Sequence, residues 1–135
     1  MKRILIPVDG SPESLEAVRA AASYGPAAIS RIELLNVQPL LHRHISQWVA
    51  KRDRDAWRAQ RAEEALAPAR RIVEEAGIAC RTHVRMGPFG QVVRETAQAL
   101  GVREIAGFAP EPFYKRFAFP AGIGVGIAIM VLADE

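Results

Sequence analysis

The residues most able to do chemistry in this 135-residue chain fall in a few places. Late in the chain, FPAGIGVGIA (119–128) places glycines at 122, 124 and 126. Glycines this dense can cradle a phosphate, because bare backbone amides can turn together toward one anion. Near the start, Asp9 and Ser11 stand in the sequence VDGS. An aspartate there can touch a ribose or a metal, and a serine can be a nucleophile. Both residue types also build turns and cap helices by bonding nearby amides. His42 and His44 form an HxH pair, but a metal would need further ligands and none lies close in sequence. Cys80 and His83 are spaced C-x-x-H. On a strand, residues three apart point to opposite faces, so these two cannot converge. A packed cysteine and a partly exposed histidine are expected instead. The segment PFYKRFAF (112–119) joins aromatic and basic side chains. It could stack on a base or meet a partner. It could equally cover a sheet face with Lys115 and Arg116 in water. No Ser-His-Asp set, paired carboxylates or metalloenzyme signature emerges, so neither a catalytic residue nor a metal is expected.

Composition narrows the function classes. A chain of this length is one domain by size, spanning 1–135, and half of it is apolar, enough for a real core. The net charge of +3 and pI near 9.5 are mildly basic. Nucleic-acid modules concentrate charge more sharply. The most basic region, 43–61, is interrupted by Asp53 and Asp55 and reads as a solvated helix face, so nucleic acid is not an expected partner. One cysteine excludes an internal disulfide and fits a reducing compartment. The opening MKRILIPVDG reaches an aspartate too early for a secretory signal. The C-terminal apolar run is too short for a helical span, which takes about 20 residues. The expectation is a soluble cytoplasmic protein with no membrane partner.

The elements that must position these residues alternate. ILIPV (4–8) reads as a strand buried on both faces, with Pro7 a reservation because it lacks a ladder donor. Ser11-Pro12-Glu13 starts a helix whose Leu15, Val18 and Ala22 share a face, and Gly25-Pro26 ends it. IELLNV (32–37) is a second strand, and 40–50 is patternless. A long helix comes next over 53–76, with Ala62, Leu66, Ala69, Val73 and Ala76 on one stripe and Pro68 expected to kink it. Gly77 closes it, and IACRTHVRM (78–86) is a third strand. After Gly87-Pro88 comes a helix with Phe89, Val92, Val93, Thr96, Ala97 and Leu100 at helical spacing, then Gly101 and a short strand over 103–107. Alternating strands and helices imply right-handed crossovers and a mostly parallel sheet.

In this order the chain resembles the universal stress protein family. KRILIPVDGSPESLEAV looks like that family's first strand, turn and helix, and IELLNVQP like its second strand. RAEEALAPARRIVEEAGIACRTHVRMGPFGQVVRETAQALGV resembles its long helix, third strand and glycine-led helix. The resemblance runs from Lys2 to about Gly107. It implies a flavodoxin-like (adenine nucleotide alpha hydrolase-like) three-layer α/β sandwich with a mostly parallel five-stranded sheet. It also implies a nucleotide cleft beyond the strand C-termini, with Asp9 after the first strand, Val37 at the end of the second and Gly107 opening a glycine loop after the fourth. ATP-binding members carry G-x2-G-x9-G-[ST] in that loop. Starting at Gly107, this chain has Pro110, Pro120 and Ala121 at the later positions; starting at Phe108 it has Glu111 and Ala121. Proline lacks the amide the cradle needs, and a glutamate would set negative charge beside a triphosphate. ATP binding is therefore expected to be lost. The alternative, kept open, is a modified phosphate site for ATP, with or without Mg²⁺.

The end of the chain has its own pattern. About a dozen residues separate the fourth strand from the glycine run, near the lower limit for a parallel crossover, so the family's last helix should be short or absent. From Gly122, Ile123, Val125, Ile127, Ile129 and Val131 alternate with Gly122, Gly124, Gly126, Ala128 and Met130. That is strand spacing. A long apolar edge strand invites pairing, and in the family the last strand commonly mediates dimers. A homodimer through 122–132 is expected, and with it a non-enzymatic, stress-response role exerted through self-association and partner contact. Adenine-nucleotide binding is the alternative.

Overall fold

A computed structural model describes residues 2–39, 50–108 and 127–131, with backbone alone at 108 and 127–131. The strands are β1 (Lys2–Pro7), β2 (Ile29–Gln38), β3 (Ala79–Met86), β4 (Glu104–Phe108) and β5 (Ile127–Val131). The helices are α1 (Pro12–Ala22), α2 (Lys51–Glu75) and α3 (Phe89–Leu100). They form one five-stranded sheet in the order β3-β2-β1-β4-β5. β1 pairs in parallel with β2 and β4, β2 pairs in parallel with β3, and β5 runs antiparallel to β4.

Helices cover both sheet faces, which gives the three layers. Ile4 and Ile6 of β1, with Ile32 and Leu34 of β2, pack against Val18 of α1 and Leu66, Ala69 and Val73 of α2. On the other face Leu5 and Leu35 pack with Val93 and Ala97 of α3 and with Val102 and Ile105. The unbroken apolar run of β1 thus reflects burial on both sides. Each fully buried leucine or isoleucine contributes about 1.5–3 kcal/mol. Pro7 is the last residue of β1, and the ladder resumes at once where the Val8 amide donates to the Leu35 carbonyl at 2.8 Å.

The helix signals act largely as the sequence implies. Ser11 caps α1, its Oγ accepting the Ser14 amide at 3.2 Å, with Pro12 in the first turn. Ala62, Leu66, Ala69 and Val73 form the buried stripe of α2, with Ala65 beside them. Gly101 caps α3 in the left-handed conformation. Arg3 of β1 adds a second stop, donating to the Leu100 carbonyl at 3.2 Å and the Gly101 carbonyl at 3.0 Å. A cation is well placed at a helix C-terminus. Gly87 has φ +136°, and a Cβ there would come within 2.9 Å of Val92 Cγ2, so this turn requires glycine.

Three expectations need correction. Phe89 fits the periodicity of α3 but is 60% exposed, because it is the first helical residue and reaches past the sheet. β2 is longer than IELLNV, starting at Ile29 and ending at Gln38, because parallel neighbours on both sides extend its ladder. β5, described over Ile127–Val131, runs antiparallel, so the connection from β4 is a return at one end of the sheet, and residues 122–126 of the expected strand lie outside the described residues. The patternless 40–49, with His42 and His44, lies outside the described residues, as does 109–126 with Pro112 to Phe119. None of the described helices is long and apolar enough to cross a membrane.

Candidate functional site

In a sheet of this kind the crevice for a ligand opens at the strand C-termini where the chain's direction of travel across the sheet reverses. Here that point lies between β1 and β4. From β1 the chain moves through β2 to β3, with α1 and α2 on one face. It then returns through α3 on the other face to β4. The register brings the three predicted residues to this end. Pro7 pairs with Leu35, so Asp9 and Val37 lie two residues beyond an aligned pair, and Leu5 pairs with Ile105, which sets Gly107 level with Pro7, just short of them at the same end.

Asp9 is exposed, and its Oδ1 accepts the Ser11 amide at 2.8 Å. Partial burial works to raise its pKa. Hydrogen bonds from the Ser11 side chain and amide and from Ser14 outweigh it and hold the carboxyl below its ordinary 3.8. Asp9 is therefore a carboxylate at neutral pH that already organises the β1–α1 turn. Val37 is partly buried, packed against the Leu5–Leu35–Val93 cluster. No described atom lies within 4 Å of where a Gly107 side chain would sit.

Two polar residues that sequence reasoning passed over fix this end of the sheet. Asn36 is buried, and its Nδ2 donates to the Val8 carbonyl at 2.8 Å. Gln38, also buried, donates from Nε2 to Asn36 Oδ1, and its carbonyl accepts the Gly87 amide at 3.1 Å. The residue before Asp9 is thus locked to β2, and β2 to the β3–α3 turn. The signal was present as two amides in an otherwise apolar strand end, NVQ.

The segment 109–126 lies outside the described residues, and with it the degenerate loop positions Pro110, Glu111, Pro120 and Ala121. Its anchors are described. Phe108 pairs with Ile127 across the antiparallel β4–β5 ladder, so the segment leaves and re-enters the sheet at the end carrying Asp9 and Val37. The residue after the glycine run is the first of a strand.

Cys80 and His83 separate as their spacing requires. Cys80 is packed against the α1–α2 side of the sheet. Burial, reinforced by the negative charge of Glu74, pushes its thiol up to about 11, so it is no thiolate nucleophile at neutral pH. On the other face His83 Nε2 lies 2.7 Å from Glu33 Oε2. Glu33 is fully buried, and its Oε1 lies 2.7 Å from Arg31 Nε, close enough to pair but poorly aligned for a hydrogen bond. This charged cluster was also missed: nothing in IELLNV marks Glu33 as buried, and it is β3 and Arg31 that enclose it. Ser11 is a cap, as its helix-start context implies.

The family model described as the universal stress protein family matches residues 1–106. Among solved structures, a protein from the universal stress protein family from Burkholderia pseudomallei superposes with TM-score 0.62 at 19% identity, covering 76% of each chain. A universal stress protein in complex with cAMP gives 0.56 at 16% identity, over 76% of this chain and 72% of that one. A universal stress protein family protein from Arabidopsis thaliana, with AMP bound, gives 0.54 at 14% identity over the same shares. No curated protein sequence matches significantly. Strand order, layers and the match over nearly four-fifths of the sequence agree: the chain belongs to the universal stress protein family.

Proposed function

We propose that this chain is a non-enzymatic, cytoplasmic stress-response member of its family that acts through self-association and partner contact, without the ATP cradle of ATP-binding members. The observation that carries the reading is the strand directly behind the glycines. A phosphate loop works by presenting amides at a helix N-terminus. Here Gly126 leads straight into β5. Both ends of 109–126 are tied to the ligand end of the sheet, and the loop positions there carry Pro110, Glu111 and Pro120 in place of amide-rich glycines. β5 occupies one edge of the sheet, where a second copy can pair with it.

The test is a thermal-shift screen with ATP, ADP and AMP, with and without Mg²⁺, on protein cleared of carried-over ligand. No saturable rise in Tm and no phosphate release are expected; a saturable rise with ATP would sink the reading. Sedimentation at micromolar concentration should show a dimer that charged substitutions in 127–131 dissociate.

A second reading is a site for adenine nucleotide. It is favoured by the convergence of Asp9, Val37 and Gly107 at the crevice and by the AMP and cAMP held by similar structures. Lys115 and Arg116, in the segment anchored at that end, would then replace lost amides. Calorimetric binding of AMP that falls at least about tenfold in Asp9→Ala would establish it.

A further inference from the structure

The opposite edge of the sheet carries a different feature. Among the described residues no strand pairs with the outer edge of β3. An eight-residue edge strand presents unpaired amides and carbonyls that can template another strand. Its side chains are sorted by face. Thr82, Val84 and Met86 line a groove of about 520 Å³ between β3 and α2, with Ala62 and Leu66 beside them and charged Arg58, Glu63 and Arg70 at its sides, and Val84 and Met86 are 42% and 47% exposed. By strand alternation Arg81, His83 and Arg85 belong to the other face, with both arginines exposed and Arg85 also bordering the groove. His83 is engaged with Glu33. Arg85 donates to its neighbour's own carbonyl, and neither arginine has a carboxylate partner among the described residues.

A second copy of β3 fits this edge poorly when the two strands overlap fully. In a twofold antiparallel pairing, odd-numbered residues of one strand face odd-numbered residues of the other, since facing side chains must share a side of the sheet. Registers centred on Arg81, His83 or Arg85 set an arginine directly against an arginine, and like charges directly opposite are destabilising. The complementary strand carries carboxylates where β3 carries arginines.

We propose that the β3 edge binds an extended acidic peptide segment of a partner protein by strand addition. The segment has Asp or Glu at positions i and i+4, opposite Arg85 and Arg81, and apolar residues at i−1, i+1 and i+3 that enter the groove beside Met86, Val84 and Thr82. Backbone hydrogen bonds supply attachment, and the alternating pockets and charges supply selection. Of the α2 carboxylates that share the groove, Glu63 is held by Arg70 in a two-pronged pair, and the groove's Arg58 and Arg70 offset Asp55 and Glu63 in charge.

The probe is a fluorescein-labelled, acetylated peptide Val-Glu-Val-Thr-Val-Glu-Thr, titrated with the full chain and read by anisotropy. The control replaces both glutamates with lysines. Saturable binding of the acidic peptide, weakened by salt and at least about tenfold tighter than the control, is expected. Arg81→Glu/Arg85→Glu, checked for folding by circular dichroism, should reverse the preference. N-methylation of alternate peptide amides should abolish binding for one set and spare it for the other, a readout that needs no variant protein. Equal binding of the two peptides, no saturation at millimolar protein, or indifference to which amides are methylated would each overturn the proposal.

Discussion

At the scale of the residue, the same side chains look different once their partners are known. Asp9 is a candidate ligand group by position, yet it also holds a turn. Its lowered pKa means that the folded state favours the carboxylate. The stabilisation is present above the ordinary value of 3.8 and is lost as pH falls through the lower folded value. Asp9→Asn should therefore be less stable than the parent near neutral pH, and the two should converge at about pH 2. Urea unfolding at both pH values checks this. Cys80 gives a second expectation. With its thiol near 11 and half-buried, iodoacetamide should label it slowly at neutral pH and far faster in denaturant. A Cys80 as reactive as free cysteine would contradict its place in the core. The C-x-x-H spacing was readable from period-two geometry alone. Glu33 was not, because burial of a strand acid depends on which neighbour lies across from it, and β3 is nearly fifty residues further along.

At the scale of the element, periodicity and end signals carried most of the information. Ser11-Pro12, Gly77 and Gly101 act through local backbone chemistry, so they can be read without knowing the fold. Phe89 misled because it matches the apolar spacing of α3 while standing at the very end of the helix. Gly87→Ala should cost more than about 1 kcal/mol, since alanine is strained at that φ and its Cβ meets Val92. A denaturation midpoint unchanged by this substitution would refute the assignment. The Glu33 cluster ties β2 to the edge strand β3. Glu33→Ala removes the buried acid that both Arg31 and His83 engage and should cost about 3 kcal/mol. Chemical unfolding monitored by circular dichroism measures it, and Arg31→Ala in the same background should cost little more, since the two act together.

At the scale of the whole molecule, the three layers and four of the five strands follow from the alternation of strand and helix signals. The direction of β5 does not. Strand patterning has the same period whichever way the strand runs, and the short link from β4 allows either a tight crossover or a return. The candidate cleft was legible only through its scaffold: Asp9 and Val37 are ordinary residues until β1, β2 and β4 are in register. The amides of Asn36 and Gln38, which fix that register at the ligand end, attract no notice in sequence because they complete a core rather than a motif. Arg3 joins β1 to the end of α3, contacts 97 and 98 residues apart in the chain. Arg3→Ala should lower stability by about 1–2 kcal/mol, read from urea unfolding, because it removes two hydrogen bonds from a charged donor.

The central place of β1 has a consequence for synthesis. β1 leaves the ribosome before the other described strands and is flanked on one side by β2 and on the other by β4, which emerges some hundred residues later. Until Glu104 and Ile105 arrive, a nascent β1–β2–β3 sheet has an open apolar edge at Ile4 and Leu5, and Leu5 lacks the helix α3 that will cover it. Pairing over so long a separation is intrinsically slow and exposes sticky surface meanwhile. Newly made chains of this protein are thus at their most vulnerable just before β4 docks, the stage at which a chaperone would be most effective.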